Sequence, residues 1–311
     1  MINFRYHVVS LVAVFLALAV GVVMGYGVLG QPTVRTLRNR INTVNNRIQE
    51  TRNENQQLRD ELDRANSTLE SMAPFAGTDR LPSVSIVVLA VRDVGTEVAE
   101  NTVTLARRAG ADAPGIVWLE SKWALREDGD PAALAKALGL PITRKAALRD
   151  QGYRALVRRL VEGPPATGDD VLTGLVTQGF LSIDAVGNDN SVGVAELGGF
   201  GTRALLVDGT STSQLPRNVA GPLARAAVDA GLPLVVGEDH DDEAGRDRGV
   251  LLNPVLDTDA LARQVSTVDD LERPEGQTAA VLALADLGRS VIGHYGYGDG
   301  ADSSLPEWSQ P

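Results

Sequence analysis

No cysteine occurs among the 311 residues, which excludes disulfides, thiolate zinc sites and cysteine nucleophiles together. The absence fits an oxidising compartment without requiring one. Histidine is nearly as scarce: His7, His240 and His294 are the whole supply, and with no GxSxG motif a serine triad has no support. There is no GxxxxGK followed by Ser or Thr. The segment LGGFGTR lacks the third glycine and the strand-to-helix context of a dinucleotide loop, so nucleotide binding is without a motif. Aromatic residues make up only 4%.

Basic charge is also in deficit, and unevenly. The net charge is −11, yet residues 1–72 carry 8 arginines against 6 carboxylates. That leaves 21 basic against 34 acidic residues, a net −13, for the remainder. An acidic globular part repels phosphate, which argues against nucleic acid as a partner.

One apolar run is present. Val8 to Leu29 is twenty-two residues without a formal charge, about 33 Å as a helix against about 30 Å for a bilayer's hydrocarbon core. A secretory leader has a shorter apolar core and a small-residue cleavage site, which MGYG matches poorly. The reading is a retained single-helix membrane anchor over residues 1–30, with a cleaved leader as the alternative. Orientation stays open on these grounds. Arg35, Arg38, Arg40 and Arg47 after the span favour a cytoplasmic C-terminal part by charge count. The short start suits a signal anchor that exports the C-terminal part. Ala17, Gly21 and Gly25 fall four apart, the small-xxx-small spacing that lets two membrane helices approach closely.

A seven-residue repeat occupies 33–72. Its a series is Val34, Ile41, Ile48, Asn55, Leu62 and Leu69, and its d series is Leu37, Val44, Thr51, Leu58, Ala65 and Met72. An apolar stripe confined to a and d predicts a coiled coil rather than a helix packed on a domain. β-Branched residues at a favour two strands, and Asn55 at an a position fixes register. Glu54 at g meets Arg59 at e of a parallel partner, but Arg47 faces Arg52. The partner is therefore either a second copy in a parallel dimer or a different coiled-coil protein.

The stretch APFAGTDRLP, 73–82, has two prolines and a glycine and reads as a linker. From 83 to 293 strand and helix signals alternate, predicting an α/β domain with a mostly parallel sheet covered by helices. Strands are predicted at Ser83–Val91, GIVWLE, Phe180–Val186, Ala204–Asp208 and Leu232–Gly237, and helices at DPAALAKALG, around Tyr153–Val161, over Ala220–Ala230 and from Pro274. The glycine-rich segment 294–311 reads as a disordered tail.

Open α/β sheets bind ligands beyond the carboxyl ends of their strands. Those ends carry Arg92 and Asp93, then Asp208 to Ser213, then EDHDDE at Glu238–Glu243. Glu238, Asp239, His240 and Asp241 are the candidate metal ligands, an imidazole among carboxylates suited to a hard or borderline divalent cation. The competing reading is a solvated acidic loop. Asp269 and Asp270 are either a working carboxylate pair or a turn ahead of a helix. A catalytic set is absent, and the expectation is a protein that is not an enzyme.

The opening block MINFRYHVVSLVAVFLALAVGVVMG and the later STVDDLERPEGQTAAVLALADLGRSVIGHYG closely resemble the actinobacterial MctB family, mycobacterial copper transport protein B. The resemblance in layout covers nearly the whole chain. It implies an envelope protein, pore-forming as an oligomer, active in copper efflux and copper resistance, with its C-terminal domain extracytoplasmic. It also implies likeness to SteB, a membrane partner in cell separation that works with a second coiled-coil protein. The residues sit awkwardly with copper. Cuprous ion prefers thiolate and thioether, and the chain offers only Met1, Met24 and Met72. One membrane helix encloses no pore alone, and no series of alternating ten-residue segments suggests a membrane barrel.

Overall fold

The structure, a computed structural model, describes residues 4–25, 31–187, 191–211 and 219–307. It divides into two compact units, Met1–Ala65 and Asn66–Pro311.

In the first unit, α1 (Phe4–Met24) is the one helix among the described residues long and apolar enough to cross a membrane. Its 21 residues span about 31 Å. Every side chain on it is exposed, and Gly21 and Gly25 have no atom within 4 Å of where a β-carbon would stand. The part of the predicted span at Tyr26–Leu29 lies outside the described residues.

Helix α2 (Gln31–Gly77) is one uninterrupted helix of 47 residues, about 70 Å. Leu37, Ile41, Val44, Ile48, Leu58 and Leu62 are between 43% and 63% exposed, so this part of the heptad stripe is uncovered among the described residues. The side chains of Val34, Leu69 and Met72 lie outside those described.

The helix continues through Ala73–Gly77, into the stretch read from sequence as a linker. Pro74 falls three residues from the end, where a missing N–H deletes a single hydrogen bond of the last turn. The stop comes at Gly77, followed by Asp79 in the left-handed region at φ 56°. The rest of that stretch is docked rather than loose. Leu81 is fully buried, and its amide donates to the Ala109 carbonyl at 2.9 Å.

The α/β domain is built on a seven-stranded sheet of order β3-β2-β1-β4-β5-β6-β7. The strands are β1 (Ile86–Val91), β2 (Gly115–Leu119), β3 (Leu181–Ala185), β4 (Arg203–Gly209), β5 (Leu234–Asp239), β6 (Val265–Val268) and β7 (His294–Tyr295). All pairings are parallel except β2 with β3. Strand β1, IVVLAV, is buried at every residue. Successive side chains point to opposite faces, so both faces are covered and the strand reads as one apolar run.

The helices of the domain are α3 (Thr96–Arg108), α4 (Asp130–Leu138), α5 (Lys145–Glu162), α6 (Val171–Thr177), α7 (Ala220–Ala230), α8 (Asn253–Leu256), α9 (Asp259–Ala262) and α10 (Pro274–Asp286). Helix α3 packs on β1 and β2 and against α10, while α7 packs on β5 and against α5. Helix α7 ends on Gly231 in the left-handed conformation, and α10 starts with proline in its first turn, both as the sequence signals predict.

Three of the few aromatics meet in one cluster. Trp123 stacks on Tyr153 with centroids 4.7 Å apart and meets Phe180 edge-on at 5.6 Å. Gly152 makes room, since a β-carbon there would stand 2.7 Å from the Trp123 ring. Nearby, Arg159 is buried and holds Asp170 with two hydrogen bonds of 2.8 and 2.9 Å while donating to the Leu197 and Val194 carbonyls.

Segment 294–307 is not the free tail its composition suggests. It starts as β7, and the amides of Gly296 and Asp302 donate to Ser303 and His294 carbonyls at 2.9 and 2.7 Å.

Candidate functional site

The strand order reverses between β1 and β4, so the crevice beyond their carboxyl ends is where an open α/β sheet takes a ligand. Here that edge is dense in carboxylates, several of them bound into the fold. Glu238, at the end of β5, is fully buried and accepts from the amides of Gly249 (2.7 Å) and Leu251 (2.8 Å). Its other neighbour is His240 Nδ1, at 3.3 Å. Burial raises the Glu238 carboxyl above the ordinary range, against the pull of the Leu251 and Gly249 amides and His240.

Asp239 points the other way. Its carboxylate accepts from the Gly95 amide at 3.0 Å, at the N-terminus of α3. A negative side chain there complements the helix end and takes the place an anionic ligand occupies in dinucleotide-binding folds. Burial raises the Asp239 pKa, opposed by that amide. Asp241 accepts from Glu243 N at 2.9 Å, and its own amide donates to Thr210 Oγ1 at 2.7 Å.

Of the four candidate metal ligands, then, Glu238 and His240 are brought together, and Asp239 and Asp241 are committed elsewhere. Strand periodicity is the cause: alternate residues leave opposite faces of the sheet. Among the described residues no group of three or more His, Asp or Glu is arranged to hold a metal ion.

The second acidic group lies just past β6. Asp269 accepts from the amides of Tyr297 and Gly298, both at 2.9 Å, and so pins the chain just after β7. Gly296, at φ +128°, lies against that carboxylate with no room for a β-carbon. Asp270 is fully buried, and neither of its oxygens has a hydrogen-bond partner. Burial, then Asp269, Glu272 and Glu275, push its carboxyl up to about 7, with Arg248 opposing. The predicted pair thus behaves as two unlike groups, one clamping backbone and one sealed.

Two residues that sequence reasoning did not single out join these clusters. Glu272 accepts from Arg248 Nη1 at 2.6 Å and from the His240 amide at 3.1 Å, and Arg248 also donates to the Asp269 carbonyl at 2.9 Å. The ERPEG turn ahead of α10 was the available signal for Glu272; nothing local marks Arg248.

At the β1 and β2 ends, Arg92 donates to Glu120 at 2.6 Å and lies 4.4 Å from the centre of the Trp118 ring, and Ser182 donates to the same carboxylate at 2.6 Å. Burial works against the Glu120 carboxylate, but the hydrogen bonds from Arg92 and Ser182 outweigh it and hold its pKa low. Asp208 is buried, and its Oδ1 accepts from the following amide at 2.9 Å. The remainder of the predicted Asp208–Ser213 edge, from 212, lies outside the described residues. Among the described residues this edge works largely as a set of backbone clamps.

Comparison with known proteins decides the family. Residues 1–306 match the family model described as copper transport outer membrane protein, MctB. The chain belongs to the MctB family. It is 31% identical over 323 residues to copper transporter MctB of Mycobacterium leprae and 28% identical over 321 residues to that of Mycobacterium tuberculosis. Each alignment covers 97% of this chain and 98% of the relative. These MctB relatives are named as transporters rather than enzymes, and the family description together with α1 indicates membrane or envelope association.

Proposed function

We propose that this chain is a membrane-anchored envelope protein that serves copper transport, in efflux or tolerance, with its α/β domain outside the cytoplasm. The observation that carries the reading is the family match, which runs from the anchor through the α/β domain to residue 306 rather than over one module. On this reading α1 is the anchor and α2 assembles copies through its exposed stripe. A pore, where one forms, is built from several α1 helices, because a single helix has no lumen. The test is deletion of the protein followed by growth on copper and measurement of cell-associated metal. Lowered tolerance with raised copper content supports the proposal; unchanged tolerance and content overturn it.

A second reading is a non-enzymatic scaffold of the envelope, acting in cell separation with a coiled-coil partner. It is favoured by the six large apolar side chains of α2 that stay exposed among the described residues, and by the shortage of sulfur ligands for cuprous ion. Cross-linking of the full chain in membranes separates the partners: homodimers mark self-assembly, and a mixed adduct marks a second protein. Deletion that disturbs cell separation at unchanged copper content would favour this reading over the first.

A further inference from the structure

A carboxylate sealed from water without a donor has two physical solutions, a cation or a proton. Asp270 poses that choice: it is 0% exposed, and both of its oxygens lack a partner. Glu275, in the first turn of α10, has one oxygen in the same condition. A cation is disfavoured, because no three His, Asp or Glu among the described residues converge on one point. The space is tight as well. A β-carbon at Gly276 would stand 2.5 Å from Asp270 Oδ1.

The charged and titratable groups facing Asp270 are unequal in sign. Asp269 and Glu272 come from its own turn and Glu275 from α10, all acidic, and Arg248 opposes them as a cation. Tyr297 faces it from the segment after β7, with Arg273 5.6 Å from the centre of the Tyr297 ring. That segment, Gly296–Gly298, is held by the neighbouring residue: Asp269 takes the amides of Tyr297 and Gly298.

We propose that Asp270 carries a proton in the folded protein and that losing it loosens the Gly296–Gly298 strap, making this edge of the sheet a closure sensitive to pH. When the O–H bond breaks, the proton leaves to solvent and a fourth negative charge is confined beside Asp269, Glu272 and Glu275. That charge crowds the Asp269 carboxylate, which holds the strap through the Tyr297 and Gly298 amides, while Arg248 is already engaged by Glu272 and the Asp269 carbonyl. The direction is diagnostic. The Asp270 device weakens the strap as pH rises.

The experiment is hydrogen–deuterium exchange on the full chain in detergent micelles at pH 6 and pH 8, corrected for intrinsic exchange, read on peptides covering 296–303. Full coupling predicts about tenfold lower protection at pH 8 in the wild type. Asp270→Asn, which keeps the shape without the charge, is expected to hold its pH 6 protection at pH 8. Equal wild-type protection at the two pH values overturns the proposal, as does the same fall in Asp270→Asn. Should that variant not fold, the infrared band of a protonated carboxyl in the wild type decides. Its loss in step with strap protection supports the device, and its absence at pH 6 removes it.

Discussion

Gly296 and Asp269 fit together only because one of them has no side chain. At φ +128° Gly296 adopts a conformation closed to other residues, and a β-carbon there would overlap the Asp269 carboxylate that receives the next two amides. Gly296→Ala is therefore expected to cost about 2 kcal/mol or more of stability, from strain and loss of the clamp together. Gly139→Ala, at φ +63° in open space, is expected to cost about 1 kcal/mol. Urea unfolding of the two variants, followed by circular dichroism, measures the difference.

Stability should fall with rising pH near neutrality on account of Asp270. Its carboxyl is raised to about 7 when folded, against about 3.9 in an unfolded chain. Below the lower value both states hold the proton, and there is no penalty. Between the two, only the folded state holds it, and stability declines by about 1.4 kcal/mol per pH unit. Above the folded pKa the loss is complete. Asp270→Asn removes this component, so the wild type minus variant stability difference should shrink by about 1 kcal/mol or more from pH 5 to pH 7. Thermal melts at the two pH values read it.

Arg159 is the buried cation of the α5 region, and its donors serve Asp170 and two carbonyls. Lysine keeps the charge but not the planar fork. Arg159→Ala should destabilise by about 3–5 kcal/mol, because it leaves the Asp170 carboxylate, 15% exposed, without its cation. Arg159→Lys should recover only part of that, as measured by denaturant midpoints.

Asn55 sits in the a series of α2 between Ile48 and Leu62. If the stripe is an assembly surface, Asn55→Val should raise the thermal stability of the assembled stalk while relaxing its choice of register and stoichiometry. Mass photometry of the full chain in nanodiscs would report broader oligomer populations.

Long, periodic and locally capped elements were legible before the structure. Helix α7 begins at Ala220 and ends at Gly231, and α10 starts at Pro274, because proline and glycine act within a few residues of where they stand. What escaped depended on distant partners. The direction of β3 is unmarked in its five residues, LSIDA, since alternating apolar and polar positions read alike both ways; it runs antiparallel beside β2 after three intervening helices, α4 (Asp130–Leu138), α5 and α6 (Val171–Thr177). Segment 294–307 looks disordered by composition, yet Asp269, some 28 residues earlier, supplies the acceptors that order it. In EDHDDE the residue types pointed to a metal, while the alternation of the strand that carries them sends Glu238 and Asp239 to opposite sides.

The central claim is that this family member acts on copper through an assembly built on α2. It is tested most directly by cell-associated copper in a deletion strain complemented with the wild type or with Ile41→Asp, Ile48→Asp. Restoration of normal copper content by the wild type alone, with both proteins at equal levels in the membrane, is the predicted result. Equal restoration by the double variant, or no copper change on deletion, would contradict it.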